Sequence, residues 1–452
     1  LSAPPTKLKV TADVNHQRIV ELTLLLLAAF ITCATVALAA VGEQVEITWN
    51  VVPYLVALLI LWTIAHIALR LRAPTANGVL FPIAALLQGL GFAFMVRIDP
   101  SLASRQATWS LIAMAGFIAV TIGIRNPQQL SKVRAPLGIA GVLLVFLPLI
   151  SESAPSGSEI SLALHLGQLH IVPGELGKLF LIIFFASWLA NYRTRNTEEY
   201  LGQAQHIEGD RSRLIPLLGG WLITSAILIF QYDAGSAIVT FAVFMSMWWA
   251  AAGRPLDLAV SFGAIAATIV LAAGTLPEFQ TRLSAWIDPW SNTQLGDAIT
   301  RSSFALAGGG LTGTGPGAGT ADWVPGVTDH FAFVPIGEEL GFLGATAVLS
   351  GYLLLTGIGL RIATRARREF DSVLAIGVTV FLGVQAWASI ATTLRLLPPS
   401  AVSLPFISIN GFALLTWHLA LGLLLRISEI GPEAKDQTAV FPKIKLRSRS
   451  QS

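Results

Sequence analysis

The chain has 452 residues, of which 54% are hydrophobic and only 12% charged, with a formal net charge of +3. Soluble domains carry about a quarter charged residues, whereas this sequence repeats uncharged runs of about 20 residues, the length that crosses a ~30 Å hydrocarbon core as helix. A soluble globular fold is excluded, and an all-α polytopic membrane protein is expected. The first 18 residues are polar and mildly basic and read as a cytoplasmic N-terminal tail. The apolar run that follows exceeds a signal-peptide core and ends in no A-x-A-like cleavage site, so a retained helix is expected. Its lone cysteine, Cys33, leaves no disulfide framework, and external loops must be held by packing.

Twelve spans are expected near 22–41, 52–69, 78–96, 107–124, 135–150, 174–191, 214–230, 235–252, 257–274, 336–360, 372–394 and 405–425. Sorting the Lys and Arg residues by loop places 23 of 29 on one side, from Lys7 through the Arg361–Arg368 group to Arg449. The other side holds five: Arg97, Arg105, Arg282, Arg301 and Arg395. Lys178 falls inside a span. Positive charge collects on the cytoplasmic side, so both termini are expected there.

Two external segments are long, 151–173 and 275–335, and loops beyond about 15 residues are usually functional or disordered. The second is too apolar and aromatic for disorder, with Trp286, Trp290 and Trp323. Residues 192–213 read as a polar connector and 429–452 as a disordered cytoplasmic tail. The stretch "LAGGGLTGTGPGAGT" lacks a following Lys-Ser/Thr and follows no predicted strand, so it is not a phosphate loop. No soluble domain is found, and no nucleic-acid partner is expected.

Ionisable groups at membrane depth are expensive and mark functional sites. Glu175 and Lys178, in "VPGELGKLFLIIFF", share a helical face at i and i+3, as a structural pair or a substrate contact. Asp233, in "FQYDAGSAI", sits between two spans as an N-cap or a site residue. Glu338 and Glu339 are expected to begin the tenth span, where a helix dipole favours carboxylates. All lie toward the outer half, with Asp329 and His330 just before them. That arrangement suits a substrate presented at the outer leaflet better than a midplane carrier site.

The blocks "RLSAWIDPW", "SSFALAGGGLTGTGPG" and "IGEELGFLG", in this order, together with "VPGELGK", "QYDAG" and "LPFISINGF", resemble the SEDS family (shape, elongation, division and sporulation). The resemblance runs from about residue 78 to 428. Residues 19–74 would be a two-helix extension before the usual ten-helix core (75–428), as in the actinobacterial elongation-type, RodA-like branch. The resemblance implies a peptidoglycan glycosyltransferase. It would polymerise lipid II, release undecaprenyl pyrophosphate and work among membrane lipids with a class B penicillin-binding protein. A non-catalytic scaffold for such a partner and a lipid-precursor flippase are the alternatives.

The family's catalytic Asp lies in His-Thr-Asp-Phe, whereas this chain reads "VTDHFAF". Counting back from "GEELG" without gaps puts His330 at the Asp position and Asp329 one residue early. One residue of helix turns a side chain by about 100°, so Asp329 would keep its aim only in a loop preceding the helix. Pro335 suits a helix's first turn and points to that arrangement. Asp329 is the preferred base for a sugar hydroxyl, with His330 as the other candidate. Arg282 and Lys178 are candidates to neutralise the departing diphosphate, with Mg or Mn as a further counter-charge.

Overall fold

The computed structural model describes residues 7–42, 51–150, 164–166, 169–171, 173–200, 234–252, 273–290 and 294–429, with isolated positions between 219 and 271. Among them, eight helices are long and apolar enough to cross a membrane, and two shorter apolar helices cover 134–147 and 235–251. The long ones belong to α1 (Lys7–Gly42), α2 (Val52–Arg72), α3 (Leu80–Ile98), α4 (Leu102–Gly123), α7 (Gly174–Tyr200), α12 (Gly341–Arg365), α13 (Glu369–Thr393) and α14 (Gly411–Ser428). The shorter ones lie in α6 (Arg134–Ile150), which follows the single turn α5 (Gln129–Lys132), and α8 (Ala234–Ala252). The spans expected near 214–230 and 257–274 fall mostly outside the described residues.

Two expectations change in detail. Helix α1 begins at Lys7, well inside the expected polar tail. The segment before α7, expected to be external, carries a small antiparallel hairpin, β1 (Leu164–Leu166) with β2 (Leu169–Ile171), the one sheet among the described residues.

Helices α3, α13 and α14 form the centre and bury most of their length, whereas α1 and α12 expose theirs. Leu26, Leu27 and Phe30 on α1, and Leu353 and Leu354 on α12, face outward. Apolar side chains all round a helix are expected where the outer solvent is lipid.

Close helix contact here depends on residues without bulk. A Cβ at Gly89 of α3 would stand 2.0 Å from Thr32 Oγ1 of α1. One at Gly411 would meet the Trp109 ring of α4 at 2.0 Å. Polar side chains then tie the buried interfaces. Trp62 Nε1 donates to Gln88 Oε1 at 3.1 Å, and Gln88 Nε2 donates to Ser110 Oγ at 3.1 Å. This chain joins α2, α3 and α4, and it satisfies polar groups that water does not reach.

Candidate active site

The expected external segment 275–335 is folded over its described length. It forms α9 (Pro277–Ile287), α10 (Gln294–Gly309), a 3-10 turn at Ala321–Trp323 and the short α11 (Val334–Glu339). The tenth span does not begin with Glu338 and Glu339, as expected from the sequence. The two carboxylates close α11, and the span α12 starts beyond a break at Gly341, whose φ is +63°. The helix-dipole argument therefore does not apply to them.

Other contacts hold them, and Glu338 Oε2 is buried without a hydrogen-bond partner. Glu339 Oε1 lies 2.7 Å from Arg97 Nη1, near the C-terminal end of α3, and Oε2 accepts from Gly317 N at 2.7 Å. Glu338 Oε1 accepts from both Thr320 N and Thr320 Oγ1 at 2.8 Å. Arg97 Nη2 also donates to Gly319 O at 2.8 Å. The glycine-rich stretch is thus a nest for the protein's own carboxylates, a use of serial backbone amides that needs no bound phosphate. Its glycines are required: Gly313, Gly315 and Gly317 have φ of +85°, +100° and +82°. The same loop caps α12, since Gly310 O and Leu311 O accept from Phe342 N and Leu343 N. Two motifs that look separate in sequence are halves of one structure.

Asp329 and His330 lie in a turn that ends before α11 begins at Val334, with Pro335 in the first turn. Gly326, at φ +73°, presents a carbonyl that accepts from the amides of Asp329, His330 and Phe331. Asp329 thus precedes α11, as the sequence reading preferred. Both residues are half-buried; Asp329 Oδ1 and His330 Nδ1 are buried atoms without a hydrogen-bond partner.

The turn is pinned to residues 394–410, which join α13 to α14. Ser408 Oγ donates to Asp329 O at 2.9 Å, and Ile409 N donates to Thr328 O at 3.1 Å. Ser408 Oγ also accepts from Leu404 N at 2.7 Å. Phe406 adopts φ +66° while fully buried, a strained conformation for a bulky residue that persists only where its surroundings enforce it. It packs against the rings of His418 and Trp417, with centroids 5.3 and 6.0 Å away. The Tyr352 hydroxyl donates to the neighbouring Pro405 carbonyl.

The same connection reaches the other expected residues. Arg282 Nη1, on α9, donates to Pro399 O at 3.2 Å, which leaves the half-buried guanidinium further donors. A Cβ at Gly235 would be 2.6 Å from Ser400, so the start of α8 abuts this connection; Asp233, just before it, lies outside the described residues. Next to Gly235, Ser236 Oγ accepts from Lys178 Nζ at 2.8 Å. Lys178 also pairs with Glu175 Oε1 at 2.8 Å, Gln385 Nε2 donates to Glu175 Oε2 at 3.1 Å, and Trp417 Nε1 donates to Gln385 Oε1 at 3.0 Å. This buried network knits α7, α8, α13 and α14 around the Glu175–Lys178 pair.

Sequence reasoning did not single out Gln385, Arg97 or Ser408. Gln385 carried a signal, as one amide in the apolar run "VFLGVQAWAS", and so did Arg97, as one of five external cations. Ser408 carried none. Among the described residues no three His, Cys, Asp or Glu side chains converge as a metal-ligand set.

The fold and this site define a polytopic helical membrane protein whose chemistry-bearing groups gather on one face, around a folded segment between spans. Over residues 78–431 the chain matches the family described as Cell cycle protein, comprising FtsW, RodA and SpoVE, and it belongs to that family. It is 31% identical to peptidoglycan glycosyltransferase RodA of Mycobacterium tuberculosis over 435 residues, covering 93% of this chain and 92% of that protein. It is 31% identical to a probable peptidoglycan glycosyltransferase FtsW of a Geobacter species, covering 71% of this chain and 85% of that protein. The mycobacterial alignment takes in part of α1 and α2 as well, which fits a RodA-like member of the actinobacterial branch. Two solved structures share the fold. One is described as structural coordination of polymerization and crosslinking by a peptidoglycan synthase complex, with TM-score 0.63 and 24% identity over 78% of this chain and 97% of that one. The other is the rod shape determining protein RodA of Thermus thermophilus, with TM-score 0.55 and 22% identity over 78% and 96%.

Proposed function

We propose that this protein is a peptidoglycan glycosyltransferase that polymerises lipid II at the outer leaflet and releases undecaprenyl pyrophosphate. In this reading it works in the bacterial plasma membrane, with both termini cytoplasmic, beside a class B penicillin-binding protein. Its relatives' names and near full-length alignment support the activity, and the likeness to a synthase complex supports the partner. The observation that carries the mechanism is the placement of Asp329. Asp329 lies in a turn ahead of α11 whose backbone is braced by Ser408, which donates to the Asp329 carbonyl, and its side-chain Oδ1 is buried without a hydrogen-bond partner.

Chain extension joins an acceptor sugar hydroxyl to the anomeric carbon of the donor. As that C–O bond forms, Asp329 accepts the hydroxyl proton. The bond from the anomeric carbon to the diphosphate oxygen breaks, and negative charge develops on the leaving diphosphate. Arg282, with donors beyond the one given to Pro399, is the residue we assign to that charge. Lys178 is already held by Glu175 and Ser236, so we assign it, Glu175, Glu338 and Glu339 to holding the site's shape. A cation carried by the diphosphate itself is a separate proposal, checked by loss of activity on chelation and recovery with Mg or Mn.

The test is polymerisation of lipid II by purified full-length protein, alone and with a class B partner. Glycan strands from the parent, abolished in Asp329→Ala, are expected. Undiminished strands from Asp329→Ala would overturn the assignment, and no strands from the parent in either setting would favour the scaffold reading.

A further inference from the structure

The family match begins at residue 78, yet helix α1, before it, reaches the candidate site. The outer end of α1 and the glycine loop touch backbone to backbone. A Cβ at Gly317 would fall 2.2 Å from Ala39 O, and one at Gly42 would fall 2.3 Å from Pro316 O. No side chain stands between the two, so Gly317 rests on the last turn of α1. The Gly317 amide is the one that holds Glu339 Oε2.

The other end of α1 is anchored. Arg18 pairs with Glu21, and its Nη2 donates to Ala73 O at 3.0 Å and Ala76 O at 2.6 Å. His66 Nδ1 of α2 lies 2.8 Å from Glu21 Oε1. Glu21 is fully buried, and Arg18 and His66 nearly so. Between the two ends, α1 lies along α3, with Gly78 beneath Gln17 and Gly89 beneath Thr32. Helix α3 then delivers Arg97 to Glu339 and Gly319, and α1 delivers a bare backbone seat to Gly317.

We propose that α1 is a positioning strut for the candidate active site: pinned by Arg18 and Glu21, it seats Gly317 on Ala39 and Gly42 and so fixes the loop that holds Glu338 and Glu339. The effect passes through α11 to the Asp329 turn. The proposal rests on the polymerase reading for its catalytic consequence, though not for its mechanical one.

The experiment uses the full chain in lipid nanodiscs, with Gly42→Leu as the variant. Val41→Leu, on the same turn but facing outward, is the control, since Val41 is 74% exposed. Hydrogen–deuterium exchange reads residues 312–320 directly, and lipid II polymerisation with the class B partner reads kcat and KM. Gly42→Leu should speed exchange in that segment and lower kcat roughly tenfold to a hundredfold, with little change in KM, as misplaced catalytic groups do. Val41→Leu should match the parent in both. Should Gly42→Leu fail to fold, Gly317→Ala probes the seat from the loop side. Parent-like exchange in a folded variant would overturn the strut, and faster exchange with parent kcat would overturn the positioning role. If the parent itself makes no glycan, the polymerase reading fails, while the exchange measurement still decides the strut.

Discussion

Arg97 Nη1 lies 2.7 Å from Glu339 Oε1 and joins the C-terminal end of α3 to the residue that closes α11. Glu339 is 1% exposed, and its other carboxylate oxygen is taken by a backbone amide. Removing one partner of a buried pair leaves a charge that nothing compensates. Arg97→Ala is therefore expected to destabilise the protein by about 3–5 kcal/mol, read as a lowered thermal midpoint in detergent. Arg97→Lys should recover part of the loss, because it restores the charge but not the second bond to Gly319. Equal midpoints for Arg97→Ala and the parent would show the pair to be dispensable.

The Glu175–Lys178 network makes a different prediction, because its members are coupled. Lys178→Met leaves the Glu175 carboxylate buried with Gln385 as its remaining donor among the described residues, and several kcal/mol of destabilisation are expected, on the order of 3. Adding Glu175→Gln removes the stranded charge. The double variant should therefore be more stable than Lys178→Met. Additive losses in unfolding measurements would mean that the two side chains act independently, against the contacts they share.

Helix positions were legible in the sequence because length and uninterrupted apolarity carry that information locally. The spans expected at 52–69 and 135–150 lie within a few residues of α2 and α6. The boundary at 336–360 failed for a local reason too: Gly341 adopts a left-handed conformation, and an apolar count cannot see it. The site was legible as a set of residue types, not as an arrangement. Glu338 and Glu339 stand out in the sequence as site candidates because carboxylates near a membrane are costly. Their partners in the fold are Arg97, more than 200 residues away, for Glu339, and amides of the glycine-rich loop for both. Ser408 was invisible because one serine among many gains meaning only when the α13–α14 connection folds against the Asp329 turn.

Orientation is tested by labelling. Asp322 and Arg367 are both exposed and lie at opposite ends of α12 and its preceding segment. In a Cys33→Ser background, Asp322→Cys is expected to react with a membrane-impermeant thiol reagent in intact cells, and Arg367→Cys only after lysis. The reverse pattern would place the candidate site in the cytoplasm and remove its access to a substrate at the outer leaflet.

Asp329 and His330 are neighbouring candidates for the base in one turn. Alignment from "GEELG" assigns the catalytic position to His330. The turn at Gly326 separates that alignment from side-chain aim, because three consecutive amides share one carbonyl before any helix begins. Ser408 braces the backbone carbonyl of Asp329. With Asp329 as base, Asp329→Asn should lose nearly all lipid II polymerisation while His330→Ala keeps much of it. With His330 as base the two variants exchange outcomes. Thermal midpoints of both variants, measured beside the rates, separate loss of the base from loss of the fold. A folded but silent Asp329→Asn beside an active His330→Ala places the proton transfer on the carboxylate.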